Sequence, residues 1–211
     1  MSSPGRTVRV PRHRLAGWFD RFTQRHGEAV TTVEDDVVVL RCPDGAEARV
    51  RVPFLPWTPG DDPVAALLAH VATDRTLGVV LARRGGHAAG VFVAGELVAS
   101  KVGSSYVQGK TKAGGWSQQR YARRRANQAA KAGADAAEDA AGVLLAWVGR
   151  LQHLVLGGDR RVVEDVLADP RLLPLADVPR EPDVRPTADP RLAVLQELDP
   201  TSVTITLNEL A

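Results

Sequence analysis

The sequence predicts an α/β protein: a mixed, mostly antiparallel sheet with a long basic helix packed across it. Three observations carry this expectation. Apolar, β-branched runs at Leu77–Ala82, Ala89–Val93 and Leu97–Val102 are broken by Arg84-Gly85-Gly86 and Ala94-Gly95-Glu96, the pattern of an antiparallel meander. An uninterrupted run of helix formers, rich in Ala, Arg and Gln, extends from Ser117 to about Gly149. Strand-like and helix-like segments then alternate to the end of the chain.

In order along the chain, residues 11–26 read as a helix. Pro11 suits a first turn, Leu15, Trp18, Phe19 and Phe22 recur at helical spacing, and Gly27 suits the C-terminal stop. Val37–Leu40 and Ala48–Val52 flank the turn signal Pro43-Asp44-Gly45 and read as a β-hairpin. The proline-rich segment 54–63 is the expected connector, so residues 1–60 are read as an N-terminal helix-plus-hairpin unit, either separate or docked on the same core, and 61–211 as the main domain. Asp61-Asp62-Pro63 opens a helix over Val64–Ala72. Lys110–Trp116 is expected to be a loop, because Gly114-Gly115 suits neither helix nor strand. Ser117 is the expected N-cap of the long helix. Ala122, Ala126, Ala129, Ala130 and Gly133 form a small-residue stripe suited to close packing on a sheet, continued by Val143, Leu144 and Trp147; Gly133 and Gly142 are possible kinks. The tail reads as strand 154–156, helix 161–168, strand 172–175, a proline-rich loop, helix 190–198 and strand 203–207.

The 211 residues carry a net charge of only +2, but the distribution is uneven. Between Glu96 and Asp135 there is no acidic residue and there are eight Lys or Arg, which leaves the remainder at about −6. That asymmetry predicts a localised basic face. Cys42 is the only cysteine, which excludes an internal disulfide, and the five histidines lack ligand spacing. No signal peptide or membrane-length apolar run is present. The expected protein is cytoplasmic, monomeric, free of cofactor and metal, and not membrane-bound.

No nucleophile elbow, P-loop or dinucleotide fingerprint occurs, and the acidic pairs Asp35-Asp36 and Asp61-Asp62 sit where turns and caps place them. The chemistry concentrates between residues 101 and 131. Arg120, Arg123, Arg124 and Arg125 fall within two helical turns, joined by Lys131 and, from the preceding strand and loop, by Lys101, Lys110 and Lys112. Such residues bind phosphate through charge and counterion release. Trp116 adds an aromatic face for stacking on an RNA base. Glycines at 114 and 115 let a backbone enter a narrow site, and a glutamine beside them is a hydrogen-bonding group able to hold a water against an ester or meet a developing oxyanion.

The run Lys112-Ala113-Gly114-Gly115-Trp116-Ser117-Gln118, with the Arg-rich helix after it and the Gly-rich meander before it, resembles the actinobacterial branch of the VLRF peptidyl-tRNA hydrolases, relatives of the class-one peptide release factors. The resemblance covers about residues 61–211 and maps the family's Gly-x-x-Gln onto Gly115 and Gln118, with Gln119 the one-residue alternative. It implies a release-factor-like catalytic domain whose partners are the rRNA of the large ribosomal subunit and peptidyl-tRNA. Gln118 would help water attack the ester between nascent peptide and tRNA during rescue of stalled subunits. The alternatives are cleavage within the tRNA acceptor end and non-catalytic RNA binding.

Overall fold

The computed structural model describes residues 5–104 and 117–211, with the backbone alone for residues 117–122 and 125. The elements along the chain are β1 (Thr7–Val10), α1 (Leu15–His26), β2 (Val30–Glu34), β3 (Val37–Arg41), β4 (Glu47–Arg51), α2 (Pro63–Ala72), β5 (Thr76–Arg83), β6 (Gly86–Val93), β7 (Glu96–Ser104), α3 (Ser117–Leu144), β8 (His153–Gly158), α4 (Arg160–Leu167), β9 (Arg180–Arg185), α5 (Leu192–Gln196) and β10 (Val203–Leu207). They form two compact units: Met1–Asp74 with Thr201–Ala211, and Arg75–Pro200. Among the described residues, no helix is long and apolar enough to cross a membrane.

The first unit is a wholly antiparallel sheet in the order β1-β10-β4-β3-β2. Leu15, Phe19 and Phe22 recur on one face of α1 and are buried with Val38, Leu40, Val50, Val203 and Ile205. Trp18 stacks on Phe22 at a centroid distance of 5.2 Å. The turn between β3 and β4 is closed by Asp44, whose Oδ1 accepts from the Ala46 N–H at 2.9 Å and whose Oδ2 bonds the buried His26 Nδ1 at 2.8 Å. The sheet also carries a charged ladder. Arg41 and Arg49 both reach Glu34 and Glu47, which holds the Glu34 carboxyl below its ordinary range. Asp62 caps α2 by accepting from the N–H groups of Val64 and Ala65, the role expected of an acid there.

The second unit holds the expected mixed sheet, in the order β7-β6-β5-β8-β9. β5, β6 and β7 form the antiparallel meander; β8 lies parallel to β5, and β9 parallel to β8. A parallel neighbour needs a crossover, and the chain returns through α3 before entering β8. Ala136, Ala137, Ala140, Val143 and Leu144 of α3 pack with Val163 and Val166 of α4 over Val80, Ala89, Val91 and Leu154 of the sheet. Leu195 of α5 approaches Gly90 on the opposite face, at 3.0 Å from where a Cβ would stand.

The structure differs from the sequence reading in four places. The division at residues 60/61 is displaced, because α2 belongs to the first unit and the last strand, β10, returns to pair between β1 and β4. β1 and β2 have no counterpart in the sequence reading; both are short edge strands with mostly exposed or half-exposed residues. Residues 172–175 are not a strand but lie in a 3-10 turn, Pro170–Leu175, started by the Asp169 side chain accepting from the Arg171 N–H. Its buried leucines, Leu172 and Leu175, are three apart, the spacing of one such turn. The expected proline-rich loop contains β9, an edge strand, where Pro182 is tolerated because one side of the ladder is unpaired.

The placement of β10 is testable. Ile205 is fully buried, so Ile205→Ala should lower stability by about 2–5 kcal/mol, while Leu210→Ala, at a largely exposed position, should change it by about 0.5 kcal/mol or less. Equal urea midpoints for the two variants would contradict β10 as a core strand.

Candidate nucleic-acid interface

Helix α3 is 28 residues long and has two halves of opposite character. From Ser117 to Ala134 it contains no acidic residue, whereas Asp135, Glu138 and Asp139 follow within five residues. Ala, Arg, Gln and Lys are strong helix formers, which explains why the segment stays helical across Gly133 and Gly142 without a break. The C-terminal half is the part that packs. The expected small-residue stripe does not pack along its whole length: Ala126, Ala129 and Ala130 are exposed, and no atom lies within 4 Å of where a Cβ on Gly133 would stand. Packing on the sheet begins at Ala136. Ala136 and Asp139 lie against β6 and β7 near their ends at Gly86, His87 and Gly103, and among the described residues no earlier side chain of α3 joins the buried cluster on the sheet.

Two fastenings hold α3 around that point. Asp139 Oδ1 accepts from Lys101 Nζ of β7 at 2.7 Å, and Oδ2 bonds His87 Nε2 of β6 at 2.9 Å. His87 is buried. A Cβ on Gly103, its cross-strand partner, would collide with the His87 ring and lie 3.0 Å from Asp139 Oδ2, so only glycine admits this contact. Burial works to raise the Asp139 pKa, but hydrogen bonds from Lys101 and His87 outweigh it and keep the carboxyl below the ordinary range. The same bond raises Lys101. The second fastening is Arg171, which donates to the Ala134 carbonyl at 2.8 Å, pairs with Glu138 at 3.5 Å and is gripped by Asp169. That grip pulls Asp169 down to about 2.

Of the residues singled out in the sequence, Lys110, Lys112, Gly114, Gly115 and Trp116 lie outside the described residues. Ser117, Gln118 and Arg120 form the first turn of α3, with Arg125 in the next turns, all described in backbone only. Arg123, Arg124 and Lys131 are on α3 and exposed. Lys101 is exposed as well, but its ammonium is engaged by Asp139.

With the helix and its anchorage in place, comparison with known families is decisive. Residues 75–207 match the Actinobacteria/chloroflexi VLRF1 release factor. The chain belongs to this family. The role that follows is release-factor-like, in translation. The VLRF1 match starts at the first residue of the second unit and ends on the last residue of β10, covering well over half the chain. Among solved structures, the chain is similar to the archaeal translation termination factor aRF1 (12% identity, TM-score 0.46, covering 95% of this chain and 67% of that one). It is also similar to the Vms1 mitochondrial localization core (10% identity, TM-score 0.44, covering 88% and 77%). No curated protein matches it.

Sequence reasoning missed the anchoring residues of this VLRF1-family chain, His87, Asp139 and Arg171. Asp139 carried a signal: it is an acid flanked by Ala136, Ala137 and Ala140 in the part of the helix that packs. Replacing it by Ala leaves the buried His87 without its partner and should cost about 1–3 kcal/mol at neutral pH. Because the folded-state pKa of Asp139 lies below its ordinary value, this contribution is full above the ordinary carboxylate range and is lost as pH falls through the folded value. Urea midpoints of wild type and Asp139→Ala should therefore converge on acidification. A gap that persists in strong acid would show that the carboxylate charge is not what fastens the helix.

Proposed function

We propose that this VLRF1-family protein is a peptidyl-tRNA hydrolase that frees the nascent peptide from tRNA on stalled large ribosomal subunits in the cytoplasm. The observation that carries the reading is the N-terminal half of α3, which holds Arg120, Arg123, Arg124, Arg125 and Lys131 with no acid until Asp135, and in which Arg123, Arg124 and Lys131 are exposed. Cations in the first helical turn oppose the helix dipole, so this arrangement does not serve the stability of the helix itself. It suits a polyanion, with Arg120, Arg123, Arg124, Arg125 and Lys131 meeting phosphates alongside Lys110, Lys112 and Trp116.

In this reading Gln118, in the first turn of α3, is the catalytic group, and Gly115, lacking a Cβ, lets the chain beside it enter a narrow site. The glutamine carboxamide accepts from the attacking water and donates toward the oxygen that gains charge. The water oxygen bonds to the ester carbonyl carbon, the bond from that carbon to the ribose oxygen breaks, and a proton passes to the ribose oxygen. The peptide leaves with a carboxylate and the tRNA with an intact 3′ end. A carboxamide is neither a strong acid nor a strong base, so rRNA and the tRNA terminus complete the site. Family membership supports the release-factor-like part of this account.

Gln118→Ala should reduce release from a stalled peptidyl-tRNA complex by about 100-fold or more, with association to the large subunit retained. Gln119 is the next helical residue, about 100° further around the axis, so Gln119→Ala should release peptide nearly as wild type does. Release by Gln118→Ala at the wild-type rate would refute the catalytic assignment, and a released tRNA lacking its 3′-CCA would show cleavage of the tRNA backbone instead. Arg123→Glu with Arg124→Glu should weaken association with the subunit and flatten its dependence on salt.

A further inference from the structure

A cleft of about 440 Å³ opens in the second unit between the β5–β6 turn, the middle of α3 and the first turns of α4. Its buried lining includes Ala82, His87, Ala136 and Val166; Ala129, Ala132 and Gly133 form its α3 wall, and Arg84 on the turn and Arg161 on α4 line it from the other sides. Both arginines are exposed, and among the described residues neither side chain makes an ion pair. Arg83, their neighbour, is by contrast turned to the protein, donating to the Thr187 carbonyl at 2.8 Å and pairing with Asp189 at 3.5 Å.

The α3 wall has a feature that internal packing does not account for, one it shares with Gly142 further along the same helix. Gly133 lies within α3, where glycine costs about 1 kcal/mol relative to alanine. No atom lies within 4 Å of its absent Cβ, so nothing among the described residues requires the space. Gly85, at the tip of the β5–β6 turn, is open in the same way. Beyond this wall the exposed surface of α3 continues through Ala126 to Arg123 and Arg124. Two acids line the α4 wall. Asp159 is committed, its Oδ1 accepting from the N–H groups of Arg161 and Val162 at the positive end of α4. Asp165, one turn after Arg161, makes no ion pair among the described residues and is the one acid lining the cleft that is left uncommitted there.

We propose that this cleft is a groove for an RNA sugar-phosphate strand, continuing the surface that starts on the basic half of α3. Arg84 and Arg161 take phosphate oxygens with their planar forks, and the Ala/Gly wall lets ribose approach the helix backbone. Small side chains along that wall suit a regular backbone rather than the varied side chains of a peptide. Contacts of this kind position a strand without reading its sequence. The proposal rests on the reading of α3 as an RNA-facing helix and adds a second binding surface, away from the reacting ester.

The test uses the full-length protein and a fluorescein-labelled oligouridylate, followed by anisotropy at several KCl concentrations. Arg84→Ala with Arg161→Ala should weaken binding and reduce the slope of log affinity against log salt by about 1.4, or roughly 0.7 for each single-strand phosphate no longer neutralised. Gly133→Leu should bind more weakly while melting at a higher temperature, since leucine is the better helix former and adds bulk to the α3 wall. Asp165→Asn should bind more tightly. Arg123→Ala with Arg124→Ala reports separately on α3. If only that last pair loses affinity, the groove is refuted and the reading of α3 stands; if no variant loses affinity, both fall. Displacement of the labelled RNA by oligoglutamate as readily as by unlabelled RNA would overturn the groove in favour of an acidic polypeptide partner.

Discussion

Asp139 is where the long helix is joined to the sheet. One carboxylate accepts from Lys101 on β7 and bonds the buried His87 on β6, so a single side chain ties three elements together. A carboxylate in a partly buried position is stable only when its oxygens are satisfied, and both are. The contact also dictates residues that have no chemistry of their own: Gly103 must lack a Cβ for the His87 ring to reach the acid. Arg171 adds a second tie at Ala134 and Glu138, within two turns of the first. Before these ties, the described side chains Arg123, Arg124, Ala126, Ala129, Ala130 and Lys131 are exposed. With a rise of about 1.5 Å per residue, Ser117 lies roughly 25 Å along the helix axis from Ala134.

The same division explains the charge pattern. A helix evolved only for its own stability places acids in its first turn and bases in its last, each worth about 0.3–1 kcal/mol. α3 has no acid in its first turn and no base in its last. Its acids instead lie where it meets the protein: Asp139 receives Lys101 and His87, and Glu138 pairs with Arg171. Of its bases, Arg123, Arg124 and Lys131 are exposed ahead of that region. Asp139 and Glu138 are thus engaged within the fold, while these three cations lie on the surface.

Much of this architecture is legible from residue pattern. The meander β5–β6–β7, the hairpin β3–β4 and the helices α1 and α2 announce themselves by alternation, turn residues and capping, since each is stabilised by neighbours close in sequence. What escapes depends on distant partners. β10 looks like any apolar strand, and only pairing with β1 and β4, far earlier in the chain, assigns it to the first unit. β9 hides behind Pro182 and alternating charges because an edge strand needs only one paired side. The alanine stripe reads as a packing surface because composition cannot say where a sheet ends. Ala136 and Ala140 are buried, while Ala126 and Ala129 are the same residue type a few turns away and are exposed. In the same way Lys101 looks like one more RNA-facing cation; its partner, Asp139, is brought to it only by the packing of α3 on β7.

A glutamine that carries the reaction proposed for this chain works under a geometric constraint. A carboxamide supplies no proton transfer of consequence at neutral pH, so its contribution must come from holding water and the developing charge in place. Such a contribution is sensitive to small displacements, and the first turn of α3 lies several turns from the ties at Ala134 and Asp139. A slight rotation of the helix at its anchor is therefore magnified at its start, in proportion to the length between them. In that proposal, fastening at Asp139 and the length of α3 are complementary requirements: the length would bring a neutral group to a distant bond, and the fastening would keep it in place. The arginines would add constraint from the other side, since phosphates bound along the helix would help to fix it. On this view RNA binding and catalysis would not be separable functions of adjacent residues, because RNA would complete the support that Asp139 and Arg171 begin.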